Sequence, residues 1–523
     1  METKSNRAFD YDLIVLGGGS VGIVSGVMAG GLGLRVLLVE KHKMGGECLN
    51  TGCIPSKALI HAAGVVHALR ADTAEIGLAP LSVSCDEARP ILEWVRRTID
   101  TVRDADATEK LLLDSGVTIR LGVARLTDSH TLTLTTDSGT SVVTGEFVLL
   151  ATGSRPRLPE NLPGLSETDY LTNQTVFDLE KIPERLLVLG GGPVGVELAQ
   201  AFQRLGSQVT LLQRGPRLLP RDDAELVERL TQFLRDEGVD VRLNASLERI
   251  DEGRVAVVRQ GDLLEDISFD RLLIATGRAA NVEDLGLDAA GVKTGEDGVV
   301  VDSQFRTSAP NIYACGDVIA SGFRFSHVAE YQAKLAVRNI AFPGASRADY
   351  AAMPWATFTD PELAHVGRTE EEAMRRGVAY DLYRQSFAQN DRAITDGGGD
   401  SLPGLIKVLV EPGLRGKILG VQILGPRAGE LLQEWVMAME RGDSIRAIAD
   451  SVHVYPSLTL VSQHVAQRWY ERQSNQPLIR KSLDTYAGFL RPNRKRIVWG
   501  VLGASVGILV AEVVRRGKSR RES

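Results

Sequence analysis

Val15-Leu16-Gly17-Gly18-Gly19-Ser20-Val21-Gly22 recurs as Val188-Leu189-Gly190-Gly191-Gly192-Pro193-Val194-Gly195, with seven of eight positions identical. Each copy follows an apolar, β-branched run and precedes a helical pattern, the context in which G-x-G-x-x-G signifies a dinucleotide-binding turn. The first glycine (Gly17, Gly190) permits the tight turn. The second (Gly19, Gly192) lets the backbone approach a pyrophosphate, and the third (Gly22, Gly195) lets the helix pack close on the strand while its N-terminus faces the phosphates. Repetition of the unit predicts an α/β fold with two Rossmann-like nucleotide-binding domains.

Each copy is followed by a second strand, and the two strand ends differ. The first closes Leu37-Leu38-Val39-Glu40 and the second Val209-Thr210-Leu211-Leu212-Gln213-Arg214; the same 23-residue spacing separates Gly17 from Glu40 and Gly190 from Gln213. A carboxylate at Glu40 suits the hydroxyl pair of a ribose. Gln213 takes the acid's place in the second unit, and with Arg214 and Arg217 beside it a ribose 2′-phosphate is attracted rather than repelled. The second site is therefore expected to prefer NADPH over NADH.

Between these units lies Gly45-Gly46-Glu47-Cys48-Leu49-Asn50-Thr51-Gly52-Cys53-Ile54-Pro55-Ser56-Lys57. Close cysteines in an intracellular protein are metal ligands or a redox pair more often than a structural staple. No second Cys/His pair stands nearby to complete a zinc site. Gly52 and Pro55 shape a tight backbone that could hold Cys48 and Cys53 within disulfide reach. The bland alternative is two unrelated buried cysteines. The other two, Cys85 and Cys315, lack partner spacing and read as ordinary small side chains; four cysteines in 523 residues fit a reducing compartment.

The whole cysteine string resembles the redox-active segment of the flavin-dependent pyridine-nucleotide disulfide oxidoreductases, a family that includes dihydrolipoamide dehydrogenase, glutathione reductase and mercuric reductase. The resemblance covers residues 10 to 471. It implies FAD at the first glycine turn and the nicotinamide nucleotide (NADP) at the second. Cys53 is then the thiol beside the flavin and Cys48 the exposed interchange thiol that meets the acceptor. Ala151-Thr152-Gly153 and Ala275-Thr276-Gly277 match the points where the chain crosses between nucleotide domains, with Thr152 and Gly153 serving FAD and Gly277 serving NADP. Ala314-Cys315-Gly316-Asp317 matches the second FAD fingerprint through Asp317, and Lys57 with Glu197 matches a catalytic pair beside the flavin. The implied domains are 1–157 (FAD-binding, first part), 158–282 (NAD(P)-binding), 283–350 (FAD-binding, second part) and 351–471, an α+β dimerisation domain of antiparallel strands followed by helices from about Ala428. A homodimer is expected.

The chain departs from the family at one chemically important place. Most members carry His-x-His-Pro with a Glu four residues beyond the Pro, and the second His with that Glu is the acid/base for the partner subunit's interchange thiol. Here the sequence reads His453-Val454-Tyr455-Pro456-Ser457-Leu458-Thr459-Leu460. Tyr455 and Leu460 occupy the dyad's positions; a phenol of pKa about 10 is a poor base near neutrality and Leu has no proton chemistry. His453 matches the non-catalytic His and is expected to make a structural hydrogen bond. The loss disfavours a dihydrolipoamide dehydrogenase and favours a mercuric-reductase-like enzyme whose acceptor is a soft metal ion or a quinone. Mercuric reductases also lack the dyad but carry a C-terminal cysteine pair, and no cysteine follows Cys315, which sets mercury itself in doubt. No resident metal is expected. A membrane-tethered redox-sensing or scaffolding flavoprotein is the alternative from another class.

Residues 472–523 read as a polar linker and an apolar segment, 497–514, flanked by Arg494 to Arg496 and Arg515 to Arg521. Its uncharged run stops at Glu512, short of the ~20 residues that span a bilayer, but Trp499 at one interface and Gly503-x-x-x-Gly507 suit an anchor. The alternative is an apolar helix packed on the dimer. The start of the chain shows no apolar signal segment and no small metal-binding domain, so the catalytic domains are expected in the cytoplasm. A formal net charge of -7 argues against a nucleic-acid partner.

Overall fold

The computed structural model describes residues 8–75, 77, 89–320, 322–344, 346–397 and 404–491. Its first sheet runs, from one edge, through strands Thr118–Leu121, Val36–Glu40, Tyr11–Leu16 and Gly139–Leu150, continuing into the antiparallel strands Thr131–Thr136 and Val123–Leu126. Tyr11–Leu16 pairs in parallel with its neighbours on both sides, and its residues Leu13, Ile14 and Val15 are wholly buried. A continuous apolar run is what a strand covered on both faces requires. Ile312–Ala314, far along the chain, returns to pair in parallel with Gly139–Leu150. One sheet is thus built from both sides of an inserted unit.

That unit has a five-stranded parallel sheet in the order Asp240–Leu243, Gln208–Gln213, Arg185–Leu189, Arg271–Ile274, Tyr170–Leu171. A three-stranded antiparallel sheet, Ala245–Asp251, Val255–Gln260 and Leu263–Ser268, packs beside it. The chain crosses between the two units as an antiparallel pair, Ser154–Pro156 against Arg278–Ala280. The strand-turn-helix geometry repeats with the sequence. Gly17 has φ +117° and a Cβ there would lie 2.3 Å from Ala151 O; Gly190 has φ +119° and a Cβ there would lie 2.3 Å from Ala275 O. Only glycine fits such a turn.

From Pro354 an antiparallel sheet forms in the order Pro354–Thr357, Glu362–Gly367, Ile418–Gly425, Leu405–Val410, Asp381–Ser386. Helices Gln433–Arg441, Ile445–Asp450 and Leu460–Ser474 cover it, and Trp435, fully buried, donates its Nε1–H to Ser462 Oγ at 2.9 Å. Cys315 is wholly buried and desolvation pushes its thiol up, as an inert core side chain. Cys85 and the expected apolar helix over 497–514 lie outside the described residues. Among the described residues no helix is long and apolar enough to cross a membrane.

A buried charge cluster ties the antiparallel sheet to the inserted unit. Lys407 Nζ, on the strand Leu405–Val410, reaches Asp223 Oδ2 at 2.8 Å, Glu225 Oε2 at 3.1 Å and Glu370 Oε2 at 2.5 Å. Asp223 also caps the helix Ala224–Asp236 by accepting from Leu226 N at 3.2 Å. Removing one partner of a buried pair strands the other's charge, so Lys407→Ala is expected to cost about 3–5 kcal/mol. Arg384→Ala, at the cluster's exposed rim, is expected to cost less than about 1 kcal/mol. Denaturant midpoints of the two variants measure the difference.

Candidate active site

The cysteine loop is packed directly on the first glycine turn. Gly46 has φ +60°, and a Cβ on it would lie 2.6 Å from Gly19 Cα. The short helix Gly46–Asn50 carries Cys48, and Cys53 is the first residue of the long helix Cys53–Glu75. Asn50 holds the loop by donating from Nδ2 to Gly46 O at 2.7 Å and Met44 O at 3.1 Å. A cysteine at a helix N-terminus beside a cation is a site for a low-pKa thiol. The expectation that Cys48 is the exposed thiol is corrected: Cys48 is half-buried in its short helix, whereas Cys53, at the start of the long helix, is exposed, with its Sγ 3.6 Å from Ser326 Oγ. The hydrogen bond donated by the Cys48 thiol, with Ser326 and the Lys57 charge, draws Cys53 down to about 6 against partial desolvation. Donation to Cys53, together with burial, drives the Cys48 thiol up. The two shifts run in opposite directions, which favours one thiolate and one thiol over two thiolates. Among the described residues no group of three or more His, Cys, Asp or Glu is arranged to hold a metal ion.

One turn further along the same helix, Lys57 Nζ donates to Glu197 Oε2 at 2.8 Å. Glu197 belongs to the helix Pro193–Arg204 that follows the second glycine turn, and it is 5% exposed. Its other oxygen accepts from Phe358 N at 2.8 Å, while Lys57 Nζ stands 4.4 Å above the Phe358 ring. Residues of three structural units therefore meet next to Cys53.

The two glycine turns fit dinucleotides sterically. A Cβ on Gly192 would meet nothing within 4 Å, so that position faces open space, whereas one on Gly19 would make ordinary van der Waals contact with Gly46 Cα at 3.6 Å. A Cβ on Gly22 would lie 1.9 Å from Gly17 O, and one on Gly195 1.9 Å from Gly190 O, which closes helix onto strand. Glu40 Oε2 accepts from Gly18 N at 2.7 Å; Gln213 Oε1 accepts from Gly191 N at 3.1 Å. The acid and the amide hold equivalent places. Gly153 (φ +67°) and Gly277 (φ +126°) each leave the space about a Cβ empty. Thr152 Oγ1 donates to Asn281 O at 2.8 Å, steadying the crossing. Asp317 accepts from Ser154 Oγ at 2.6 Å and lies 3.3 Å from Arg278 Nε.

Several participants carry no motif of their own. Arg278 bridges Asp317 to Glu47, the neighbour of Cys48, and Asn173 Nδ2 also donates to Glu47. Arg278 directly follows Ala275-Thr276-Gly277, which was the available signal; Ser326 and Asn173 had none. Of the two arginines expected to attract a ribose 2′-phosphate, Arg214 is exposed, whereas Arg217 already forms a two-pronged ion pair with Glu371 of the antiparallel-sheet unit. His453 makes the structural hydrogen bonds expected of it, Nε2 with Glu434 Oε2 at 3.0 Å and Nδ1 with Ser451 O at 3.1 Å. Tyr455 is exposed and donates to Asp391 Oδ2 at 2.9 Å, and Leu460 is buried.

A thiol pair set between two dinucleotide turns defines an oxidoreductase. Residues 11–333 match the family described as pyridine nucleotide-disulphide oxidoreductase, and residues 353–465 match that family's dimerisation domain. A mercuric reductase of Acidithiobacillus ferrooxidans is 35% identical over 465 residues, 88% of this chain and 82% of that protein. A dihydrolipoyl dehydrogenase of Geobacillus stearothermophilus is 33% identical over 465 residues, 88% and 96% of the two chains. Among solved structures, the Cu(II) complex of the HOCl-induced flavoprotein disulfide reductase RclA from Escherichia coli superposes with a TM-score of 0.77 at 27% identity, covering 88% of this chain and 99% of that one. LpdA from Mycobacterium tuberculosis gives a TM-score of 0.79 at 26% identity, covering 87% and 99%. The chain belongs to the pyridine nucleotide-disulphide oxidoreductase family, whose members use FAD and take electrons from NAD(P)H.

The electrostatics of the thiol pair predict a titration. In the reduced protein, one equivalent of ultraviolet thiolate absorbance should be present at neutral pH and disappear as pH falls through about 6, where Cys53 takes up its proton. Lys57→Met removes a charge that favours the thiolate, so the midpoint should move to higher pH.

Proposed function

We propose that the chain is an NADPH-dependent flavoprotein disulfide reductase, mercuric-reductase-like in its chemistry, working through Cys48 and Cys53 on an acceptor such as a soft metal ion or a quinone. FAD bound at the first cradle supplies the link between the two-electron donor and the disulfide. Gly17, Gly19, Gly22, Glu40, Thr152, Gly153 and Asp317 would hold FAD, and Gly190, Gly192, Gly195, Gln213, Arg214 and Gly277 would hold NADPH. Cys53 is the thiolate beside the flavin and Cys48 the interchange thiol. A hydride carries two electrons and one proton, and opening a disulfide to one thiol and one thiolate consumes the same. The low thiol of Cys53 and the high thiol of Cys48 suit that balance without a further acid.

The observation that carries the choice of acceptor is the pair Tyr455 and Leu460, standing where the family's acid/base dyad belongs. Reduction of a disulfide substrate needs a proton for its leaving thiolate, whereas a soft metal ion accepts the electron pair, and a quinone acting as a one-electron acceptor takes its electron, without one. Loss of a positioned acid costs about 10²–10⁴-fold. A dihydrolipoamide dehydrogenase, the name borne by several relatives, is the competing reading, and it requires that acid. The intact thiol pair with Lys57 and Glu197 favours turnover over a purely sensing or scaffolding role. The chain is proposed to work as a homodimer through residues 351–471, with its catalytic domains in the cytoplasm. The segment 497–514 is proposed as a membrane anchor on its composition alone; removal of residues 491–523 should release a membrane-bound protein into the soluble fraction.

Two measurements test the reading. Anaerobic titration with NADPH should produce a long-wavelength thiolate–flavin absorbance band at two electrons, absent in Cys53→Ser; a band that persists in that variant overturns the assignment of Cys53. NADPH oxidation against lipoamide-type disulfides, soft metal ions and quinones should favour the latter two by about 10²-fold or more. Turnover with lipoamide at the rate of a dedicated dehydrogenase would make the competing reading correct.

A further inference from the structure

Arg217 lies in the loop that follows the strand Gln208–Gln213 and folds back over the second glycine turn. Leu219 N donates to Gly191 O at 2.9 Å, and the Gln213 side-chain amide donates to Arg217 O at 3.2 Å. These bonds fix the Arg217 backbone beside Gln213 and the second glycine turn. Its side chain, however, turns to another unit. Glu371, on the helix Glu370–Arg375 beyond the strand Glu362–Gly367, takes both prongs of the guanidinium, Nη1 to Oε1 at 2.5 Å and Nη2 to Oε2 at 2.7 Å. Nη2 also donates to Pro220 O at 2.9 Å. Asp222 and Asp223 add negative potential at the same group. The ion pair raises Arg217 and lowers Glu371 from their ordinary values, as mutual stabilisation requires.

A guanidinium presents one planar fork matched to a carboxylate or phosphate, and a two-pronged partner occupies it. A nucleotide 2′-phosphate arriving at this end of the cradle would have to compete with Glu371 for Arg217. Arg214, the residue directly after Gln213, is exposed. We infer that Glu371 is a specificity-determining residue that withholds Arg217 from the 2′-phosphate, leaving Arg214 as the arginine that reads it. The inference rests on the reading of the second cradle as the nicotinamide-nucleotide site. It places part of the control of coenzyme choice in the antiparallel-sheet unit, outside the nucleotide-binding unit itself.

Glu371 is half-exposed, and exposed ion pairs are worth at most about 1 kcal/mol, a factor of about fivefold in binding. The probe is adenosine 2′,5′-bisphosphate, titrated calorimetrically into the flavin-loaded full chain, with 5′-AMP as the control. Glu371→Gln is expected to tighten the bisphosphate by about fivefold and leave 5′-AMP unchanged, and to raise the ratio of kcat/KM for NADPH over NADH by a similar factor. Arg217→Ala in the native background should change bisphosphate binding by less than about twofold, whereas in the Glu371→Gln background it should erase the gain; this non-additivity is the signature of the withheld arginine. A gain that survives in the double variant would show that Glu371 acts by simple repulsion, and the inference would be overturned. It would also be overturned if Glu371→Gln left binding unchanged, or if Arg217→Ala alone weakened the bisphosphate as much as Arg214→Ala. The NADPH reading fails separately, if the native chain does not prefer NADPH; an Arg217-dependent gain in Glu371→Gln would still support the withholding, whereas an Arg214→Ala variant that binds the bisphosphate unchanged would overturn the role given to Arg214.

Discussion

The ion pair of Lys57 with Glu197 is the contact on which the candidate active site depends. A carboxylate as buried as Glu197 survives as a charge only when its oxygens are satisfied. It accepts from Lys57 Nζ on one oxygen and from Phe358 N on the other, at 2.8 Å each. The first bond joins the cysteine-bearing helix to the helix of the second glycine turn, and the second joins that helix to the antiparallel-sheet unit. The same pair adds a smaller, partly cancelling contribution at Cys53, the lysine favouring its thiolate and the glutamate opposing it, beneath the larger effects of the Cys48 thiol, burial and Ser326. One ion pair therefore joins three units and also touches the electrostatics of Cys53, so exchanging either partner disturbs both.

Around that joint the charges are distributed with a common logic. Asp317, Arg278 and Glu47 alternate in sign from the return of the chain into the first sheet to the residue before Cys48. Lys407 is surrounded by carboxylates from two units, and Arg204 lies between Glu237 and Asp360. In each case a buried or half-buried cation is held by acids from separate parts of the sequence. Such clusters bring little net stability over an apolar packing, but they penalise every arrangement in which the ions are left unpaired. The relative placement of the three units is specified accordingly.

What the sequence made legible follows from locality. The glycine motifs are each written within eight residues, although the carbonyls that exclude a side chain at Gly17 and Gly190 belong to the distant Ala151 and Ala275, so the motifs announced both nucleotide units, and the shared spacing to Glu40 and Gln213 placed acid and amide at equivalent positions. The cysteine string was equally local, and the opposite behaviour of its two thiols came from their adjacency. The partners that tune the site were not legible. Ser326 meets Cys53 across 273 residues, Arg278 meets Glu47 across 231, and Glu371 meets Arg217 across 154. An exposed-looking Ser, Arg or Glu has no periodicity that reveals a distant partner, and Arg217 was accordingly read with its neighbour Arg214 rather than with the acid that holds it.

The return of Ile312–Ala314 to the strand Gly139–Leu150 has a consequence for synthesis. Every strand of the inserted parallel sheet lies between Tyr170 and Ile274, whereas the first sheet begins at Tyr11 and gains its last parallel strand only at Ala314. Chains emerge from the ribosome N-terminus first, and domains fold as units. The second cradle is therefore complete while the first, although begun earlier, still has an open edge. Order of emergence and order of completion are reversed, and until residue 314 appears the unfinished edge exposes backbone groups able to pair with another nascent chain.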